Sequence, residues 1–398
     1  MKEKFLRELA DIQTGPFGSQ LHKEDYVADG TPIVTVEHLG NKMFSEQNLP
    51  RVSNTDKNRL KKYVLKQGDI VFSRVGSVDR CSYVDQKHDG WMFSGRCLRV
   101  RPTSEIDSEY LYYYFCLEET KQFVRNIAVG ATMPSINTKL LGEVVVTFPE
   151  LEQQKRISGI LSAIDSKIEV NQKINDNLEQ QAVALFKSWF VDFSLFGGTV
   201  PENWEDTTLE NITTLITRGI APKYSDNSDQ TVVNQKCIRN HTIDLSLART
   251  HTPKAINEKW LKFGDLLINS TGDGTLGRVA QVWFAPKALT VDSHVTIVRP
   301  AREELIFYIG LWGILHEKEI ESLHTGSTGQ TELPRDRVKM LKLLLPDNIS
   351  LSRFNSIIAP MASTIILNQE ENQKLASLRD TLLPKLMSGE IDVSSIQL

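Results

Sequence analysis

Residues 157–189, ISGILSAIDSKIEVNQKINDNLEQQAVALFKSW, decide the fold. Ile157, Leu161, Ile164, Ile168, Asn171, Asn175, Leu178, Ala182, Leu185 and Trp189 step by alternating 4 and 3. That spacing is the a/d seam of a coiled coil. Adding 197 to each number recovers a second stripe in residues 354–386: Phe354, Ile358, Met361, Ile365, Asn368, Asn372, Leu375, Arg379, Leu382 and Leu386. Asparagine stands at the same two seam positions in both, and a buried polar pair costs stability while fixing register and partner. Arg379 departs from the pattern; its aliphatic stem is expected to pack while its head escapes to water. Pro360 is expected to kink the second helix near its start or to delay that start. Gly197-Gly198 is expected to end the first helix, and Pro384 with Gly389 to loosen the end of the second.

Two helices with one shared stripe predict mutual pairing, although each could instead pack only on its own domain. If the repeats are related by a two-fold, the pair is antiparallel with a globular block at each end. About 33 residues at ~1.5 Å each make a rod of ~50 Å.

Working outward, the blocks before the helices also repeat. Leu9-Ala10-Asp11-Ile12 aligns with Leu209-Glu210-Asn211-Ile212, and Lys66-Gln67-Gly68-Asp69-Ile70-Val71-Phe72-Ser73 with Lys262-Phe263-Gly264-Asp265-Leu266-Leu267-Ile268-Asn269. Arg101-Pro102 aligns with Arg299-Pro300, Val129-Gly130-Ala131-Thr132 with Thr325-Gly326-Ser327-Thr328, and Phe148-Pro149 with Leu345-Pro346. A Gly-Asp turn entering an apolar run reads as a buried strand. Val144–Val146 and Leu343–Leu345 read as last strands, stopped by Pro149 and Pro346. Residues 108–126 and 302–322 read as helical. Each block is therefore a mixed α+β domain, and the class is α+β with a pseudo-two-fold internal repeat.

The 398 residues are too many for one ordinary core, and 40% hydrophobic with 24% charged residues fits a globular chain. No run of 18 apolar residues suggests a membrane span. The start, Met1-Lys2-Glu3-Lys4-Phe5, lacks an apolar signal segment, so a cytoplasmic location is expected. Cys81, Cys97, Cys116 and Cys237 show no Cys-x-x-Cys spacing and read as reduced side chains, without a metal site. The net charge of −4 hides an uneven distribution: residues 51–101 carry 12 Lys/Arg against 5 Asp/Glu, and residues 236–299 carry 9 against 5. These stretches occupy matching places in the repeats and predict two basic faces.

Catalytic signatures are missing. Gly272-Asp273-Gly274-Thr275-Leu276-Gly277 matches G-x-G-x-x-G, but the following Arg278–Phe284 reads as strand, whereas a dinucleotide site needs a helix there. Neither a Walker loop, H-E-x-x-H nor G-x-S-x-G occurs, and His22, His38 and His88 read as surface or satisfied polar groups. Recognition chemistry remains. Ser73, Arg74, Ser77 and Arg80 lie on a loop directly after a strand, a composition suited to base edges and phosphates. Their counterparts are Asn269, Ser270, Thr271 and Arg278. Further loop candidates are Gly18, Ser19 and Gln20; Thr132 in Gly130–Ser135; and Thr328 in Gly326–Gln330. Lys57, Arg59, Lys61 and Lys62 are candidate phosphate contacts.

The chain resembles the specificity subunits of type I restriction-modification systems. The resemblance rests on Leu151-Glu152-Gln153-Gln154-Lys155-Arg156-Ile157, on Ala184–Phe193 (ALFKSWFVDF), on Leu382–Ile391 (LLPKLMSGEI), and on Gly68–Arg74 and Gly130–Ser135. It implies target recognition domains at 1–150 and 197–349, spacer helices at 151–196 and 350–390, and a tail at 391–398. Each domain is then expected to read half of a bipartite double-stranded DNA site, and the helices to set the spacer and dock two methyltransferase subunits. The chain itself is expected to be non-catalytic, with S-adenosylmethionine, ATP and Mg held only by partner subunits, including any restriction subunits. In block two Asn269-Ser270 replaces Ser73-Arg74, and Asp347-Asn348-Ile349-Ser350 replaces Glu150-Leu151-Glu152-Gln153. The alternatives are a coiled-coil interaction scaffold with no DNA role, and an oxidoreductase built on the Gly272–Gly277 loop.

Overall fold

A computed structural model describes residues 1–398 except 19, 41, 273, 327–330 and 395–398. The chain forms two compact units, one of residues 1–170 with 371–398 and one of residues 171–370. Each long helix therefore contributes one half to each unit.

In the first unit, strand Lys2–Phe5 pairs antiparallel with Val145–Phe148. A four-stranded antiparallel sheet follows in the order Ala10–Thr14, Cys97–Pro102, Ile70–Ser73, Cys81–Tyr83. A second sheet has the order Tyr26–Val27, Arg51–Val52, Thr31–Val34, Met92–Phe93. Ile70–Ser73 is buried along its whole length, as its unbroken apolar run requires. Helices Ser108–Cys116 and Glu118–Ile127 cover the main sheet, and Leu6, Leu9, Phe72, Leu98, Tyr110, Phe115, Ile157 and Leu161 share its core.

The second unit repeats this plan. Glu205–Thr208 pairs with Lys342–Leu345. Its four-stranded sheet has the order Thr213–Arg218, Val295–Pro300, Leu266–Asn269, Val279–Gln281. Helices Ile306–Leu315 and Glu317–Ser322 take the expected place. The terminal strand pair and the four-stranded sheet thus recur in the same order, while the second unit has a three-stranded sheet (Arg249–Thr250, Thr231–Val233, Leu289–Val291) and the pair Ile238–Arg239 with Thr242–Ile243 where the first has one four-stranded sheet.

One buried ion pair recurs. Arg101 grips Asp69 with Nε and Nη2, both at 2.7 Å, and also donates to the Val64 carbonyl. Arg299 grips Asp265 at 2.8 and 2.7 Å and donates to the Trp260 carbonyl. Both aspartates are buried, and each also accepts the backbone N–H three residues before it. The fork geometry and added hydrogen bonds are what a buried pair needs to offset its desolvation.

The long helices span Leu151–Phe190 and Asn348–Ser388, 40 and 41 residues. All twenty seam positions are buried or half-buried. Within the first unit Asp165 meets Arg379 and Ile168 meets Asn372, so the helices run antiparallel. Within the second unit Asn368 Nδ2 donates to Asn175 Oδ1 at 2.8 Å, and Phe186 and Trp189 pack on Phe354, again antiparallel. The asparagines thus bond across the seam as a register-fixing pair should.

Four details differ from the sequence reading. Pro360 does not delay the second helix, which starts at Asn348 and runs through it. Asp347 explains the early start: it accepts from the Ile349 and Ser350 N–H groups and from the Ser350 hydroxyl, capping the first turn. The first helix stops at Phe190, before the Gly197-Gly198 pair, because Phe193 turns left-handed (φ 50°) and packs on Trp204. Pro384 lies inside the second helix, which ends where Gly389 adopts φ 79°. Finally, the head of Arg379 does not escape to water. It donates to Asp165 at 2.8 Å, and Asp165 accepts in turn from Tyr113 at 2.6 Å.

Candidate nucleic-acid interface

Strand order gathers the candidate loops of the first unit. In the antiparallel sheet, Thr14 and Ser73 end strands on the same side on which Cys97 and Cys81 begin them. The connections Gly15–Gly18, Arg74–Arg80 and Ser94–Arg96 therefore emerge together. Hydrogen bonds lock them: Gly15 N–H to Cys97 O at 3.2 Å, and Arg74 N–H to Arg96 O at 2.8 Å. Glycine is needed at Gly15, because a Cβ there would lie 2.1 Å from the Ser94 carbonyl oxygen. The Val129–Ser135 loop closes on the same place, with Gly76 N–H donating to Pro134 O at 2.8 Å and Ile136 N–H to Arg74 O at 3.0 Å.

Arg74 sits at the centre. Its guanidinium lies over the Phe17 ring, 5.4 Å from the centroid, and Nη1 donates to Gly95 O at 3.1 Å. Arg80, Arg96, Ser77, Thr132 and Gly18 are exposed, as are the large apolar side chains of Phe17, Val129 and Met133. None of the ion pairs among the described residues involves Arg74, Arg80 or Arg96. Three arginines without a carboxylate partner beside exposed apolar groups make a surface suited to a polyanion with flat apolar faces.

The basic segment 54–63 joins this end through Gln20. Arg59 Nη1 donates to Gln20 O at 2.9 Å, and the Tyr63 hydroxyl donates to Gln20 Oε1 at 2.6 Å. Lys62 Nζ lies 4.7 Å from the Tyr63 ring centroid; Lys61 is exposed and Lys57 half-buried. Arg59 also pairs with Asp56 at 2.7 Å, and with the Ser53 hydroxyl it holds that carboxyl below its ordinary range. Part of the positive charge of Arg59 is thereby already compensated.

The second unit builds the same end with different side chains. Asn269 N–H donates to Arg278 O, Ser270 N–H to His294 O, and Leu333 N–H to Ser270 O. The corresponding bonds in the first unit run from Ser73 to Arg80, from Arg74 to Arg96 and from Ile136 to Arg74. Ser270 thus takes the place of Arg74, Arg278 that of Arg80, and His294 that of Arg96. Arg278 Nη2 folds back onto Gly274 O at 2.7 Å, and the His294 ring meets Asp292 at 3.3 Å. Thr271 Oγ1 donates to Gln235 Oε1 at 3.3 Å. The residues after Gly277 form strand Val279–Gln281 and not a helix, so a dinucleotide cradle has no helix N-terminus to use.

Three candidates lie inside the fold. Ser73 is buried and donates to Val75 O at 2.8 Å. Asn269 is buried and donates to Gln235 O at 3.0 Å. Ser270 is buried, with its hydroxyl 2.6 Å from that of Thr296. Their polar atoms serve the strand ends and are not presented outward. Ser19 and Thr328 lie outside the described residues. Sequence reasoning passed over Arg96 and His294, while Phe17 lies within the loop candidate Gly15–Gln20; the signal for Arg96 was its place between Gly95 and the strand start at Cys97. His38 and His88 are satisfied polar groups, the first by Thr35 and Gln47 O and the second by Asp85 and Glu46.

Residues 1–180 match the family described as Type I restriction modification DNA specificity domain. The specificity subunit of the type I restriction enzyme MjaIX from Methanocaldococcus jannaschii is 28% identical over 323 residues, covering 75% of this chain and 72% of that one. The HindI specificity subunit of Haemophilus influenzae is 23% identical over 411 residues, 83% of this chain and 88% of its own. Among solved structures, the S subunit of a type I restriction-modification system from M. genitalium superposes with a TM-score of 0.55 at 17% identity. It covers 97% of this chain and 95% of that chain, a likeness of fold.

Proposed function

We propose that this chain is a type I restriction-modification specificity subunit, like the relatives it matches, and that it recognises a split DNA target, each unit reading one half-site. The observation that carries this reading is the sheet end built twice, with the same backbone bonds and different exposed side chains. Identical frames with different contact groups are what two readers of different sequences require. The phosphate-contact set is Lys57, Arg59, Lys61 and Lys62, with Arg80 and Arg96 in the same unit and Arg278 in the second unit, and it supplies affinity that weakens with salt. Ser73, Asn269 and Ser270 are left out of the contact set because they are buried.

The chain is read as the non-catalytic member of its assembly. S-adenosylmethionine, ATP and Mg then belong to methyltransferase and restriction partners in the cytoplasm, and the partner would swing its target base out of the duplex. Exposed apolar residues on the long helices (Val170, Ile174, Leu367 and Leu378) favour two methyltransferase subunits docking there. The helices fix the distance between half-sites. No helix among the described residues is long and apolar enough to cross a membrane. The scaffold and oxidoreductase alternatives find no support in the comparisons.

Selection of the full-length chain against a randomised duplex library tests this reading. The expected product is two constant blocks separated by a fixed unread spacer, with affinity falling steeply between 50 and 200 mM salt. A single contiguous site, or no enrichment, overturns it.

A further inference from the structure

Resting on that recognition reading, we propose that the half-site read by the first unit contains a guanine gripped by Arg74, and that the second unit reads its half-site without an arginine at this place. Of the three arginines at the first sheet end, Arg74 alone is held on two sides. The Phe17 ring supports its flat face, and Gly95 O takes one of its five N–H donors. A guanidinium fixed in this way loses little freedom on binding, and its remaining donors can form the fork that matches guanine O6 and N7. Arg80, by contrast, lies across the Gly40 backbone, where a Cβ on Gly40 would come within 2.7 Å of its Nε. Arg96 is exposed and follows the Gly95 carbonyl that anchors Arg74. Those two suit phosphate contact.

The second unit removes the fork. Ser270 occupies the Arg74 place with the same two backbone bonds, but its side chain is buried against Thr296. His294 replaces Arg96, and Arg278 is turned toward Gly274. The duplicated frame therefore isolates one variable, an arginine fork present in one reader and absent from the other at an equivalent position.

The experiment is a randomised-duplex selection with the full-length chain and its Arg74→Ala and Arg74→Lys variants, each also titrated with salt. Arg74→Lys keeps the charge and loses the fork. Both variants are expected to lose at least about tenfold of the preference for one guanine in one half-site, with the other half-site and the spacer unchanged. Arg74→Lys is also expected to keep the wild-type salt slope, which separates base reading from phosphate contact. Retention of the guanine preference in Arg74→Lys, or a first half-site lacking guanine, overturns the proposal while leaving bipartite recognition intact. Failure of the wild-type chain to enrich any bipartite site overturns both.

Discussion

Replacing Arg379 with alanine removes the positive partner of Asp165 inside the first unit. Asp165 is 10% exposed in its side chain, Arg379 32%, and their atoms lie 2.8 Å apart. Tyr113 holds the other carboxylate oxygen at 2.6 Å, and Lys42 gathers Glu109, Ser162 and Tyr113 around the same helix face. A charge-assisted hydrogen bond contributes roughly 1.5–3 kcal/mol. One-third exposure of the arginine and its second bond to the exposed Asp380 reduce this to about 1–2 kcal/mol. The internal repeat supplies the control. Adding 197 to Asp165 gives Ala362, and subtracting it from Arg379 gives Ala182, both buried in the core of the second unit. Asp165→Ala/Arg379→Ala therefore installs side chains that the same frame already accepts. It is expected to cost less than the sum of the single changes by about 1 kcal/mol. Urea unfolding of the full-length chain, read by hydrogen exchange in the segments around Tyr113 and Asp165, measures both numbers. A cost below about 0.5 kcal/mol for Arg379→Ala, or strict additivity in the double variant, would show that Asp165 and Arg379 are not coupled.

Other outcomes follow from the same structure. Asp69→Ala and Asp265→Ala should each cost about 3 kcal/mol in urea unfolding, because each leaves a mostly buried arginine without its carboxylate; a cost near zero contradicts a structural role for the pair. Burial opposes ionisation of Asp347, but bonds from Ser350, Trp204 and Ile349 outweigh it and hold its carboxyl down at about 2. Its contribution is present above the ordinary value of 3.8 and is lost as pH falls from about 4 to about 2. Asp347→Ala should therefore lose about 1 kcal/mol at neutral pH and flatten that acid limb. Burial, with Asp176 beside it, pushes the Glu179 carboxyl up to about 7, and His241 offsets this only in part. The folded state then holds a proton that the unfolded chain has released, so stability falls as pH rises from about 4.5 to 7. Glu179→Gln should remove that decline and raise the thermal midpoint above pH 7; an unchanged pH profile counts against it.

What the sequence disclosed was periodic or local. The seam from Ile157 to Trp189 needs only spacing, and all its positions are covered. The strand after Gly68-Asp69 needs only an apolar run behind a turn. The role of Asp69 needed more, since Arg101 lies on another strand and only sheet pairing brings it near. Arg379 misled for the same reason: its partner Asp165 flanks the seam of the other helix, and the antiparallel register alone reveals it. At the candidate interface, polar residues just after a strand looked like contacts. Ser73, Asn269 and Ser270 turn inward at strand ends that Ile136 and Leu333 cover with backbone bonds to Arg74 and Ser270.

The most direct measurement of the central claim inserts seven residues at matching seam positions of both long helices and repeats the randomised-duplex selection. One heptad adds ~10 Å of helix, about three base pairs of duplex. The two half-site sequences are expected to persist with a longer spacer, or joint enrichment of the halves to be lost. Enrichment of the original target with its original spacing would contradict it.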